Sequence, residues 1–237
     1  MTKTNQQKVK DFLINNGVII VMFILVIYTG FTSDNFFTKN NFMNILMNMS
    51  SRLVIALGIA GCVITAGCDL SAGRMIGFGA CISGMLLQRM DYSGKFFPDM
   101  QPLNVFVVAL IAMLVCAAFG TVTGFFIAYL NVPPFIATLA MMEIVYGIGL
   151  IVTNATPLGG YVEQYTNVSN GKFLGINYLI WIAIIVAAIT WFIFNMTRHG
   201  KYMYAIGGNP QAAEVAGVPV KATMILIYMK AAAMYGL

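Results

Sequence analysis

The sequence predicts an all-α fold, a polytopic bundle of transmembrane helices forming one domain over residues 1–237. Three observations carry that expectation. Hydrophobic residues make up 59% of the chain and charged residues only 9%, where a soluble domain carries about 25% charged. Mean hydropathy is +0.83, so water is the wrong solvent for most of this surface. Apolar stretches recur near 18–31, 52–67, 75–90, 104–130, 135–153, 177–195 and 223–237, several of them close to the ~20 residues that span a bilayer.

Lys3, Lys8 and Lys10 precede the first stretch. A basic start before an apolar run resembles a secretion signal, but no small-x-small cleavage site follows and further spans do. A retained first helix is expected. Lysine and arginine concentrate in cytoplasmic loops, which puts the N-terminus in the cytoplasm. In residues 36–50, Phe42, Ile45, Leu46 and Met49 fall at helical spacing while Asn40, Asn41, Asn44 and Asn48 share the opposite face. This predicts a short helix at the membrane interface or packed across the bundle.

The stretch 52–67 has 16 residues, about 24 Å of helix against a ~30 Å hydrocarbon core. Gly67, Asp69, Ser71 and Gly73 follow it, a pattern that fits either one interrupted passage or two tight spans. A carboxylate at membrane depth costs about 2.5–3.5 kcal/mol on insertion scales unless it meets water or a partner. Non-helical backbone is tolerated there only where protein or a wet cavity satisfies its amides. Asp69 or Ser71 suits the cap of the next helix, and the glycines suit a turn. Two readings stand: a polar break lining a pathway through Asp69, Ser71 and Gly73, or a capped turn near the cytoplasmic surface.

Further along, Gly120 and Gly124 form GxxxG, and Gly58 and Gly61 lie three apart; small residues of this kind let helices approach closely. Asn131 to Leu139 contains Pro133 and Pro134, which end one helix and suit the first turn of the next, predicting a tight cytoplasmic corner. Glu143 falls near the middle of 135–153. An ionisable group there lines a pathway, carries protons, pairs with Lys230, or bonds to a neighbouring helix. Six spans place 154–176, with only Glu163 and Lys172, outside, and 196–222, with Arg198, His199, Lys201 and Lys221, in the cytoplasm.

In 207–217, Asn209 suits an N-cap, Pro210 the first helical position and Gly217 the left-handed C-terminal position. Ala212, Ala213 and Ala216 make a small-residue patch on the intervening two turns, and Glu214 is the charged member. The segment is a docking helix or a stiff connector. The last stretch reaches Leu237 with Lys230 inside it, too little to cross comfortably, so the chain is expected to be the N-terminal part of a longer one.

Several chemistries are excluded. The scattered basic residues form no stripe with interleaved aromatics, which argues against nucleic acid. Cys62, Cys68, Cys81 and Cys116 lack CxxC spacing, and His199 has no acidic or thiol neighbour at ligand spacing, so neither a metal nor another cofactor is expected. Gly94-Lys95, Gly171-Lys172 and Gly200-Lys201 are followed by Phe or Tyr, so no phosphate loop exists, and no hydrolytic constellation is present. The chain is not expected to be an enzyme.

Four segments in this order resemble the permease family of carbohydrate ABC importers, the group that includes ribose, xylose and galactose permeases. They are Asn41–Leu46, Ala56–Gly58 with Asp69–Gly73, Val132–Leu139 and Tyr204–Glu214. Asp69–Arg74 with Leu86–Gln88 is most similar to the galactose/methyl galactoside type. The resemblance implies a multi-pass subunit of a bacterial inner membrane carrying a monosaccharide. It implies a homodimer, a cytoplasmic ATP-binding subunit and an extracytoplasmic sugar-binding protein. Asn209, Pro210, Ala212, Ala213, Glu214 and Gly217 would then form the coupling helix seated in the ATPase, and 65–73 would lie in the translocation region. Glu143 departs from the family pattern. A proton-coupled secondary transporter using Glu143, and a truncated remnant that does not transport, are the rival expectations.

Overall fold

The computed structural model describes residues 13–33 and 35–237. Lys3, Lys8 and Lys10, on which the expected orientation of the N-terminus rests, lie outside the described residues. The described elements are α1 (Gly17–Thr32), α2 (Lys39–Ile64), α3 (Ala72–Leu86), α4 (Val105–Tyr129), α5 (Pro134–Thr153), α6 (Glu163–Asn170), β1 (Lys172–Phe173), β2 (Ile176–Asn177), α7 (Tyr178–Met196), α8 (Arg198–Gly208), α9 (Pro210–Val215) and α10 (Val220–Tyr235). α2, α4, α5 and α7 are long and apolar enough to cross a membrane, and α1 and α3 are shorter apolar helices. The helix boundaries follow the local chemistry. Asn104 and Asn177 cap α4 and α7 by accepting from Phe106 and Leu179 amides at 2.9 and 2.8 Å. Pro133 and Pro134 open α5, and Asn154 closes it in the left-handed region at φ 50°.

Residues up to Leu46 form one compact unit and residues from Met47 another. In the first, Phe37 packs edge-on against Phe36 at 5.1 Å. The Asn41 amide donates to the Phe36 carbonyl at 2.8 Å, fastening the start of α2. No separate interfacial helix exists at 36–50. Those residues begin a single 26-residue helix that continues to Ile64, because Ser50-Ser51-Arg52 contains neither glycine nor proline to break it. The stretch judged too short to span is thereby lengthened to about 39 Å.

In the second unit, α10 runs antiparallel along α4 in the most extensive helix pairing. A methyl group at Gly120 would strike the Tyr228 carbonyl oxygen and Ala232, and one at Gly124 would stand 2.7 Å from Ile225 Cα. The GxxxG pair therefore sits where two backbones touch. Met75, Cys116, Val145, Met203 and Tyr228 are buried in the core, α3 and α5 complete it from the other side, and all four cysteines are free thiols.

The connections sort to two ends. At one, Arg89 and Val162 donate to the Gly160 and Leu87 carbonyls at 2.7 and 2.9 Å. Buried Gln88 ties the same loops, donating to Gly159 at 3.0 Å and accepting from the Phe96 amide at 2.7 Å. Helix α6 and the β1–β2 hairpin, pairing Lys172 with Asn177, follow in this segment. At the other end, Gly67 lies against Pro134, and Gly207 against Ile64. The corner after α4 is tight, as expected: Asn131 is left-handed at φ 53°, and Val132 donates to the Phe126 carbonyl at 3.2 Å.

Candidate functional site

The segment 65–71 is built to enter the bundle without helical hydrogen bonds. Thr65 turns its hydroxyl onto the Gly61 and Cys62 carbonyls, and the chain reverses at Ala66, φ 57°. The reversal was expected at a glycine. Gly67 is small for another reason: a methyl there would stand 2.6 Å from the Tyr228 hydroxyl. Residues 67–71 are irregular, and α3 begins only at Ala72. Gly67 is level with the start of α5, yet Phe78 packs beside Gly149 and Arg74 beside Tyr146. The backbone therefore climbs roughly a third of the passage before it coils. About four extended residues at ~3.3 Å each added to a 15-residue helix give roughly 35 Å, enough to cross. Both sequence alternatives are thus partly realised: α2 and α3 are separate passages, and the second begins as non-helical chain.

That polar stretch is satisfied by protein, as its depth requires. Asp69 Oδ1 accepts from the Ser71 amide at 3.0 Å and the Ser71 hydroxyl at 2.6 Å, and Oδ2 accepts from the Tyr235 hydroxyl at 3.0 Å. The Tyr228 hydroxyl donates to the Cys68 carbonyl at 3.4 Å. Asp69 and Ser71 are buried, whereas Gly73 is exposed with open space beyond its Cα. Ser71 occupies the N-cap position without a side-chain cap bond, and Asp69 accepts from Ser71 itself and not from the first-turn amides of α3, so the expected cap by either residue is corrected to a turn just ahead of the helix.

Gly73 opens onto a groove of about 190 Å³ between α3 and α5, where Arg74, Gly77, Cys81, Tyr146 and Thr153 meet. The Arg74 guanidinium lies 3.9 Å from the Tyr146 ring centroid. Sequence reasoning missed both residues. The only available signal was an arginine three residues after Ser71. Glu143, three residues before Tyr146 on α5, is exposed outside the residues that line the groove and has no ion-pair or hydrogen-bond partner among the described residues. The expected pairing with Lys230 and the buried bond to a neighbouring helix are both corrected. Lys230 instead lines a second, apolar cavity with His199 and Met203.

The remaining candidates, Asn209 to Gly217, form a delimited projection. Asn209 Oδ1 accepts from the Ala212 amide at 2.9 Å, Pro210 opens α9, and Gly217 ends it at φ 83°. The alanines do not form one face: Ala213 is 4% exposed and packs inward, while Ala212, Glu214, Ala216 and Val215 point out, the last at 91% exposure. At the opposite end, burial raises the Tyr165 phenol above its ordinary range, with Tyr161 adding to it. The two rings meet edge-on at 5.5 Å.

The family described as branched-chain amino acid transport system / permease component matches residues 41–237. The galactose/methyl galactoside import permease protein of Escherichia coli (strain K12) is 38% identical over 242 residues, covering 99% of this chain and 72% of that protein. Its Haemophilus influenzae counterpart is 40% identical with the same coverage. The ribose import permease protein of Escherichia coli (strain K12) is 31% identical over 92% of this chain and 66% of its own. No solved structure matches the chain.

Proposed function

The chain belongs to the branched-chain amino acid transport system / permease component family, and from that premise we propose that it is the membrane-spanning permease subunit of an ABC importer for galactose or a methyl galactoside. It is a translocation subunit, not an ATPase. Its partners are a cytoplasmic ATP-binding subunit and an extracytoplasmic sugar-binding protein, and it works as a homodimer in a bacterial inner membrane with its N-terminus in the cytoplasm. Substrate passes without covalent chemistry. ATP binding closes the ATPases, the permease follows, and the cavity between subunits changes the side it faces.

The observation that carries this reading is α9. A six-residue helix is marginal alone in water, yet here it is capped at both ends and carries a fully exposed valine at its tip. That is the form of a plug for a groove on another protein. Asn209, Pro210, Ala212, Glu214 and Gly217 belong to the projecting surface, while Ala213 anchors it to the body of the subunit. The 130–133 corner lies at the same end of the molecule and takes the cytoplasmic side with α9, leaving 87–104 and 154–177 for the binding protein. In the pathway, Asp69 and Ser71 shape the wall and Gly73 opens onto it.

Reconstitution tests the proposal. Proteoliposomes holding this subunit, its ATPase and the galactose-loaded binding protein should accumulate galactose only with ATP. Accumulation driven by a proton gradient without ATP would sink it. Val215→Cys should react with an impermeant thiol reagent only from the cytoplasmic side, and Thr156→Cys only from outside; the reverse would reject the orientation.

A further inference from the structure

We infer that the groove between α3 and α5 is the sugar-contacting wall of the translocation path, with Arg74 and Tyr146 inside it and Glu143, one turn earlier on α5, exposed beside it as the side chains that meet the sugar. This rests on the permease reading and names the contact surface within it. The first support is position. Arg74 and Glu143 are exposed on the outward faces of two passages, neither with an opposite charge as partner among the described residues. Against lipid each would cost about 2.5–3.5 kcal/mol at mid-depth. Long basic side chains facing lipid reach for the headgroups; Arg74 instead folds onto Tyr146, thirteenth of the 20 residues of α5. Its charge is held at the middle of the passage, which requires a wet or polar surrounding.

The second support is shape. Of the glycines lining the groove, a Cβ at Gly73 or Gly77 would meet nothing within 4 Å. These glycines therefore serve no close helix contact here, unlike Gly120 and Gly124, and their effect is to keep the groove wide. At about 190 Å³ the groove is smaller than the ~300–1,000 Å³ of pockets that enclose a ligand. A wall that touches a solute without enclosing it suits a path that must release what it admits.

The third support is chemistry. Arg74 in the groove and Glu143 beside it on α5 together carry no net charge, which disfavours accumulation of ions. The guanidinium offers donors in a planar fork, Glu143 offers acceptors only, and Tyr146 adds an aromatic face and a hydroxyl. An uncharged polyol ring, which alternates acceptor oxygens, donor hydroxyls and apolar C–H faces, satisfies all three.

The test uses the assembled importer in proteoliposomes with radiolabelled galactose as the probe. Arg74→Met and Glu143→Gln should each lower galactose uptake about tenfold or more, the equivalent of one hydrogen bond to a charged group. ATPase stimulation by the loaded binding protein should persist within about twofold. Unchanged uptake overturns the inference, and so does an equal loss of uptake and ATPase stimulation, which would mark a structural role. A second measurement is independent of transport. Gly77→Cys with Cys81→Ala should react with a charged methanethiosulfonate, more slowly when galactose-loaded binding protein and ATP are present. No reaction in any nucleotide state would mean the groove faces lipid or is packed shut. Failure of the unmodified importer to take up galactose, with Gly77→Cys still labelled, would instead reject the cargo assigned under the permease reading.

Discussion

Asp69 persists at depth because three donors meet its two oxygens: the Ser71 amide, the Ser71 hydroxyl and the Tyr235 hydroxyl. Hydrogen bonds to a charged group contribute about 1.5–3 kcal/mol each. Tyr235→Phe should therefore destabilise the detergent-solubilised protein by about that amount, read as a lowered thermal unfolding midpoint; an unchanged midpoint would show the bond to be incidental. His199 gives a second residue-scale prediction. Burial first and the Lys230 ammonium second hold its imidazole down to about 4. The unfolded chain takes up that proton near pH ~6.5, the folded chain only near 4. Stability from this group is complete above pH ~6.5 and is lost as pH falls towards 4. His199→Gln should flatten the stability–pH curve in that window and leave its alkaline side unchanged.

Among the elements, α9 separates surface from anchor in a way composition could not. Ala212, Ala213 and Ala216 look equivalent in the sequence, but one helical turn puts Ala213 against the body and Val215 into solvent. Val215→Asp should abolish ATPase stimulation by the loaded binding protein while the thermal midpoint stays constant. Ala213→Leu should overpack the anchor and lower stability by about 1–3 kcal/mol. Equal behaviour of the two variants in both assays would contradict the division. Element boundaries were legible wherever a side chain with a backbone role marks them: Asn104, Pro134, Asn177, Asn209 and Gly217 all sit where their chemistry suggests. The join between 36–50 and 52–67 was not legible, because the amphipathic pattern changes there while the backbone continues unbroken.

For the whole molecule, the pairing of α4 with α10 is the decisive contact, since it brings the last helix against the first residues of the α3 passage through Tyr228 and Tyr235. Gly124→Val would press a branched side chain onto the Ile225 backbone, now 2.7 Å from where its Cβ must stand. It should leave the protein protease-sensitive in detergent, whereas Gly77→Ala, in open space, should not; equal resistance of both variants would reject this account of the packing.

The sequence by itself determined that the chain resides in a membrane and where capping residues and prolines end several of its apolar passages. Those properties follow from local hydropathy, capping and glycine or proline placement, which act within a few residues. It also marked 65–73 and 207–217 as unusual. Tertiary structure alone decided that Asp69 is clasped by a tyrosine 166 residues away, that Glu143 lacks the partner Lys230, and that Arg74 meets Tyr146 across an open groove. Each of these depends on how helices distant in sequence are packed, and a single chain's local pattern carries no record of which face meets which.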